Sequence, residues 1–342
     1  MPDWGIRGTM RGPITAVSDR FELIDVPRTK GAPTFAQDVA AGLSASPKRL
    51  SSKYLYDDVG SALFDAIMVL PEYYLSRAET EILREWGWQM VRVLDAPIDF
   101  LELGSGNAVK TRLLIGEALR VQGRLRYSPI DISTEALRAS SMALVDAYPG
   151  LTVRAYAGDY FDVLASRALR FDRRVLAMFM GSNIGNYEPD QAVAILSLLR
   201  DALRPGDGVL IGMDLKKDPS TIELAYDDPA GVTAAFNRNL LARMNRELGA
   251  NFEVKNFDYR VQYDEARGAM DAYLVARNAA TVRLGKIKLD VAFAAGEPMH
   301  TESAYKFGPS DVSTLAASTG FKAASSWTDR AGKFSVNLLV RG

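Results

Sequence analysis

The 342-residue chain predicts an α/β fold of the doubly wound kind, with a smaller mixed α+β unit beside it. Three observations predict this. The apolar run Ile98, Phe100, Leu101 and Leu103 ends in Gly104-Ser105-Gly106, and a helical pattern through Val109, Leu113, Leu114, Ala118 and Leu119 follows. That reads as a buried parallel strand, a tight turn and a helix. Strand and helix patterns then alternate from about Pro97 to Leu215, which implies a parallel sheet. Beyond Leu215 the rhythm changes to helical stretches and then to alternating strands.

The elements follow in order. Residues 1–30 mix charge, proline and apolar residues and are expected as a loose extension. Phe35 to Leu43 is helical and ends at Ser46-Pro47; Ser61 to Val69 is a short helix with Leu63, Phe64, Ile67 and Met68 inward. Ser76, with Glu79 three residues on, has the spacing of a capping box for a helix through about Val93. After the glycine turn, Arg126 to Ile130 is a second strand and Ser133 caps a helix to Ala147. Leu151 to Ala155 is a third strand, Arg174 to Met180 a fourth and Val209 to Leu215 a fifth, with a helix from Asp190 to Leu203 between the last two. Ile222 to Asn251 is mostly helical, with a joint at Tyr226 to Gly231. Strands are expected at Val254 to Arg260, Gly268 to Arg277, Ala280 to Leu284, Ile287 to Phe293 and Met299 to Phe307. A helix over Pro309 to Thr319 and a strand over Lys333 to Val340 close the chain.

Composition narrows the chemistry. A net charge of -1 argues against nucleic acid as a bulk partner, since phosphate binding needs clustered Lys and Arg. No cysteine means no disulfide, thiolate nucleophile or Cys-based zinc site, and the sole histidine, His300, argues against a His-rich metal site. No apolar run reaches the roughly 18 residues of a membrane helix, and no signal peptide is legible. The expectation is a cytoplasmic protein, a monomer, without metal, membrane or nucleic acid.

The candidate site is assembled at strand ends, where ligands of such sheets bind. Gly104 lets backbone approach a ligand closely. Asp131, at the end of the second strand, suits a pair of ribose hydroxyls, because a carboxylate accepts two hydrogen bonds. Asp159 can accept from an adenine amine, with Tyr160 beside the ring. Gly181-Ser-Asn-Ile-Gly-Asn186 forms a second glycine- and amide-rich loop. These parts suit a methyl donor of the adenosylmethionine type; the loose G-x-G pattern also admits a nicotinamide-dependent dehydrogenase.

Lys53 to Phe64 (KYLYDDVGSALF), Leu70 to Tyr74 (LPEYY), Leu101 to Gly106 (LELGSG), Gly181 to Asn186 (GSNIGN), Ala225 to Asn239 (AYDDPAGVTAAFNRN), Thr301 to Phe307 (TESAYKF) and Trp327 to Asp329 carry a resemblance. Together they resemble the histidine Nα-methyltransferases of ergothioneine biosynthesis, in order, over roughly residues 34 to 340. The element order by itself divides the chain into a parallel α/β lobe (78–216 and 308–342) and a mixed lobe (31–77 and 217–307), which the resemblance implies are a Rossmann-like methyltransferase domain and an amino-acid substrate domain. The resemblance also implies transfer of methyl groups from S-adenosyl-L-methionine to the α-amino group of L-histidine, giving hercynine. Gly104, Lys110, Asp131, Asp159 and Tyr160 would hold the methyl donor. Tyr73, Asn186 and Tyr226 would hold the amino and carboxylate ends of the amino acid, Asn186 and Tyr73 being the catalytic pair. Tyr56 and Gly181 would lie nearby, and Glu302, Ser303 and Ala304 would face the imidazole. Three positions depart from the family: Asn183 replaces Thr, Ala272 replaces Met and Ala304 replaces Ser. The two alanines would enlarge the pocket, which keeps a bulkier aromatic amino acid such as tryptophan or tyrosine open as substrate. His300 is expected to be structural or solvent-facing.

Overall fold

A computed structural model describes residues 14–29 and 32–342. Before the glycine loop lie β1 (Ile14–Ser18), β2 (Phe21–Asp25), α1 (Phe35–Ser44), β3 (Lys48–Arg49), α2 (Asp58–Met68), α3 (Tyr74–Met90) and β4 (Ile98–Leu103). There follow α4 (Thr111–Gln122), β5 (Leu125–Asp131), α5 (Thr134–Ala147), β6 (Leu151–Ala157), α6 (Tyr160–Ala165), β7 (Arg174–Phe179), α7 (Pro189–Ala202) and β8 (Gly208–Asp214). Next come α8 (Pro219–Tyr226), α9 (Val232–Leu248), β9 (Phe257–Asp264), β10 (Ala269–Ala276), β11 (Ala280–Leu284), β12 (Leu289–Phe293) and β13 (Pro298–Tyr305). The chain closes with α10 (Pro309–Ser318), β14 (Phe321–Thr328) and β15 (Phe334–Arg341).

Nine strands form one twisted sheet in the order β1-β2-β6-β5-β4-β7-β8-β15-β14. Those from β2 to β8 run parallel, and β1, β15 and β14 pair antiparallel at the two sides. β4 is buried along its whole length, as a central strand covered on both faces must be. The chain goes from β4 outward to β5 and β6, then returns to the other flank of β4 with β7 and β8. The reversal places a crevice between the carboxyl ends of β4 and β7, where the loops of Gly104 and Gly181 stand.

A second sheet, β3-β13-β10-β9, and a ribbon, β11-β12, lie beyond it. β3 comes from the N-terminal part and pairs parallel with β13. One apolar core joins the sheets, containing Phe100 and Tyr127 of the first and Met270 and Leu274 of the second. Another fills the opposite face of the large sheet beneath α6, α7 and α10.

The structure differs from the sequence expectations at several points. The loose extension over residues 1–30 does not hold for its described part. Phe21, Leu23 and Ile24 are buried, and β2 lies parallel to β6. α2 begins at Asp58, because the Asp57 carboxylate caps it by accepting from the Gly60 N–H at 2.8 Å. Ser76 does not cap α3, whose first residue is Tyr74. Val109 is exposed ahead of α4. Asp159 opens a helix that the sequence pattern did not signal, α6, which the Asp159 side chain caps. β14 gave no strand signal because five consecutive residues, Lys322 to Ser326, are exposed on this edge strand.

Candidate active site

A cleft of about 850 Å³ opens at the crevice and is lined from both sheets. On the side of the large sheet stand Gly104, Lys110, Asp131, Asp159 and Tyr160. Each owes its place to an element end. Gly104 adopts a positive φ of 68° at the end of β4, so the chain turns there without the steric penalty of a Cβ. The loop is held from below by Glu102. This buried carboxyl accepts from Thr111 Oγ1 at 2.6 Å and from the Tyr127 hydroxyl, and burial pushes its pKa up to about 7.

Asp131 accepts from the Gly106 N–H at 2.8 Å through one oxygen and from the Ser133 N–H at 2.9 Å through the other. A carboxylate has about four lone-pair positions, so each oxygen keeps one for a ligand. Asp159 spends Oδ1 on the Phe161 N–H at 2.9 Å, leaving Oδ2 available. Burial raises the pKa of both carboxyls. The pattern of two acids at adjacent strand ends with free acceptor positions fits the ribose and adenine of an adenosyl ligand. Asp131→Ala is expected to weaken adenosyl-ligand binding by about 1.5–3 kcal/mol, the scale of a hydrogen bond to a charged group. Calorimetric titration with S-adenosylhomocysteine measures this, and an unchanged affinity would remove Asp131 from the donor site.

The other end of the cleft continues into a side pocket of about 30 Å³. Tyr56, Tyr73, Gly181, Asn183, Asn186 and Glu302 line both; Tyr226 and Ala304 line the side pocket. Gly181 also needs its positive φ, 72°, where β7 ends. Gly185 is needed for a different reason: a Cβ there would lie 2.7 Å from the Tyr305 carbonyl oxygen. Its absence lets the loop carrying Asn186 dock against β13 of the second sheet.

Tyr73 and Tyr226 are buried and Tyr56 partly so, and burial holds the pKa values of all three well above the usual phenol range, so they stay protonated donors. Neither Tyr56 nor Tyr73 spends its hydroxyl on another group among the described residues. Nor does Glu302, whose carboxyl burial pushes up to about 7. Buried polar groups without partners are costly. Here they surround a cavity, as expected where a polar ligand supplies the missing bonds.

Ser303 and His300 line the cleft, but on the other face of β13 from Glu302. The Ser303 hydroxyl donates to Asp271 Oδ1 at 2.6 Å and lies 3.0 Å from His300 Nε2. Ser303 is thus already committed within the protein. His300 is half-buried in this cluster, packed edge-on against Tyr273. Ala272 borders neither cavity. It is fully buried opposite Glu302 in the β10–β13 pairing, so of the two alanines only Ala304 adds room to the pocket.

Sequence reasoning missed two groups. Glu79 is fully buried on α3, accepts from the Gly181 N–H at 2.7 Å, and pairs with Lys110. It therefore bridges the two glycine loops. Its signal was an acid inside the apolar stripe of Leu75, Ala78, Ile82 and Leu83, which the capping-box reading obscured. Tyr187 bonds the Tyr160 hydroxyl and closes the wall beside Asp159. Among the described residues no group of three or more His, Asp or Glu could hold a metal ion, and no helix is long and apolar enough to cross a membrane.

A family model described as histidine-specific methyltransferase, SAM-dependent, matches residues 35–341. A histidine N-alpha-methyltransferase of Mycolicibacterium smegmatis is 42% identical over 310 residues, covering 91% of this chain and 96% of that protein. Another, from Mycobacterium tuberculosis, is 42% identical and covers 89% of this chain and 94% of that protein. Ergothioneine biosynthesis protein 1 of Schizosaccharomyces pombe is 29% identical over 86% of this chain, which spans 39% of that longer protein.

Proposed function

The chain belongs to the histidine-specific, S-adenosylmethionine-dependent methyltransferases, and from that premise we propose that it methylates the α-amino nitrogen of free L-histidine to give hercynine. The family match removes the nicotinamide-dependent dehydrogenase reading. The observation that carries the substrate assignment is Glu302. It is a buried carboxyl with no hydrogen-bond partner among the described residues, and it lines the same pocket as Tyr56, Tyr73 and Tyr226. An amino acid with a ring N–H at one end and a carboxylate at the other satisfies both.

The donor supplies an electrophilic methyl group on a sulfonium. The protein must hold a neutral amine in line with it and keep water out. In this reading Asp131 and Asp159 orient the adenosyl part and Lys110 its charged end. The Asn186 carbonyl accepts from the amine and turns its lone pair to the methyl, without charging the nitrogen. Tyr73 stands beside it, and Tyr56 and Tyr226 donate to the carboxylate. Two lobes, with the donor held by 78–216 and 308–342 and the amino acid by 31–77 and 217–307, belong to the same proposal. So does a cytoplasmic monomer, since one chain furnishes every group named.

Mass spectrometry of a reaction containing the methyl donor and all the common amino acids tests the assignment. Trimethylated histidine is expected as the main product, and another methylated amino acid would replace histidine as substrate. The pH profile adds a second check. The amine reacts only when deprotonated, so kcat/KM should rise with pH through its titration. Glu302 becomes a charged, stronger acceptor for a ring N–H only when ionised, above about pH 7, so a second rise is expected there. Histidine's own ring titrates near 6.5, and the comparison with Glu302→Gln isolates the protein group. The variant should lose the step near 7 and keep the amine limb. Identical profiles would mean that Glu302 does not meet the substrate.

A further inference from the structure

Lys306 follows β13 and is buried, with its ammonium between two acceptors. It donates to the Tyr226 hydroxyl oxygen at 2.8 Å and lies 3.0 Å from Asp214 Oδ2. Asp214 ends β8 and is itself fully buried. It takes the Tyr74 hydroxyl at 2.9 Å and Lys217 at 2.5 Å. Two ammonium groups therefore converge on one carboxylate. Lys217 alone already matches the charge of Asp214, so neutralising it does not require Lys306. The Glu302 carboxyl lies within the electrostatic reach of Lys306 but makes no bond to it.

The hydrogen-bond directions are fixed by chemistry. An ammonium has three donors and no acceptor, so Tyr226 can only accept from Lys306. Its own proton must then point elsewhere, and Tyr226 lines the side pocket. Without the ammonium, that proton would turn towards the field of Asp214. We propose that Lys306 is a positioning residue for substrate selection: by occupying the Tyr226 oxygen it makes that hydroxyl an obligatory donor to the amino acid's carboxylate. The inference rests on the amino-acid reading given above.

A double-mutant cycle tests it, with Tyr226→Phe, Lys306→Met and the pair, in the full chain saturated with S-adenosylhomocysteine. Calorimetry reads the affinity for histidine and for histamine, which keeps the ring and amine but has no carboxylate. Lys306→Met should weaken histidine about tenfold, the lower end for a bond to a charged group, and leave histamine and S-adenosylhomocysteine unchanged. In the Tyr226→Phe background it should cost nothing more, because the two residues act as one unit. Equal losses for histidine and histamine, or multiplying effects in the cycle, would overturn the role of Lys306 and leave the substrate reading intact. Failure of the unmutated protein to bind histidine would overturn both. If Lys306→Met does not fold, Lys306→Gln takes its place. Its amide can donate or accept, so the same selective loss is expected at a smaller size, and parity between the two ligands again overturns the role.

Discussion

Asn186→Ala is expected to lower kcat by about a hundredfold while leaving donor affinity within a factor of two. Displacement at a sulfonium depends on the line from nitrogen to methyl, and a misplacement of about 1 Å costs on that order. Asn186 ends the turn that begins at Asn183 and is set against β13 by the close approach at Gly185. It lines both the cleft and the side pocket. The donor contacts named above come from other loops, so they should survive its loss. Single-turnover kinetics, alongside titration with S-adenosylhomocysteine, separates the two quantities. Activity near that of the unmutated protein would reduce the second glycine loop to a structural role.

Glu302→Ala should cost histidine more than it costs phenylalanine, and the difference should reach about 1.5–3 kcal/mol in kcat/KM, because only the polar ring loses a charged acceptor. Removing the carboxyl also relieves its burial, the cause of its raised pKa, so the variant should not be less stable. Pocket volume alone discriminates by about 1–3 kcal/mol. A site that reads a ring N–H through Glu302 should therefore show its preference collapse when the acid is removed. The measurement is kcat/KM for histidine, tryptophan, tyrosine and phenylalanine on both proteins. An unchanged ranking would mean that Glu302 does not read the ring.

The large sheet was legible because its central strands are short apolar runs ending in glycine, a pattern set by burial on both faces. Asp131 was legible for the same reason, since a strand's end places its acid at the crevice. The edges were harder. β14 exposes most of its residues and carries no alternation, and β1 and β2 sit in a polar, proline-bearing segment whose burial comes from β6, distant in the chain. The roles of Tyr56, Tyr73, Tyr226 and Glu302 came from resemblance to a family. Spacing alone reads those tyrosines as packing residues, which by their aromatic contacts they also are. Lys306 and Asp214 escaped notice because a bond between the end of β8 and the residue after β13 leaves no trace in either stretch.

The bridge through Glu79 has a consequence for the order in which ligands act. One carboxylate holds Lys110 on the donor side and the Gly181 amide on the amino-acid side. Any ligand that draws on Lys110 changes what Glu79 offers to Gly181, and a ligand that tightens the Gly181 loop changes what remains for Lys110. Linkage makes that influence reciprocal in binding free energy. If the two ligands lie as proposed, each should therefore alter the other's affinity through Glu79, and titrating histidine with and without S-adenosylhomocysteine measures it; equal affinities would mean that Glu79 carries no coupling.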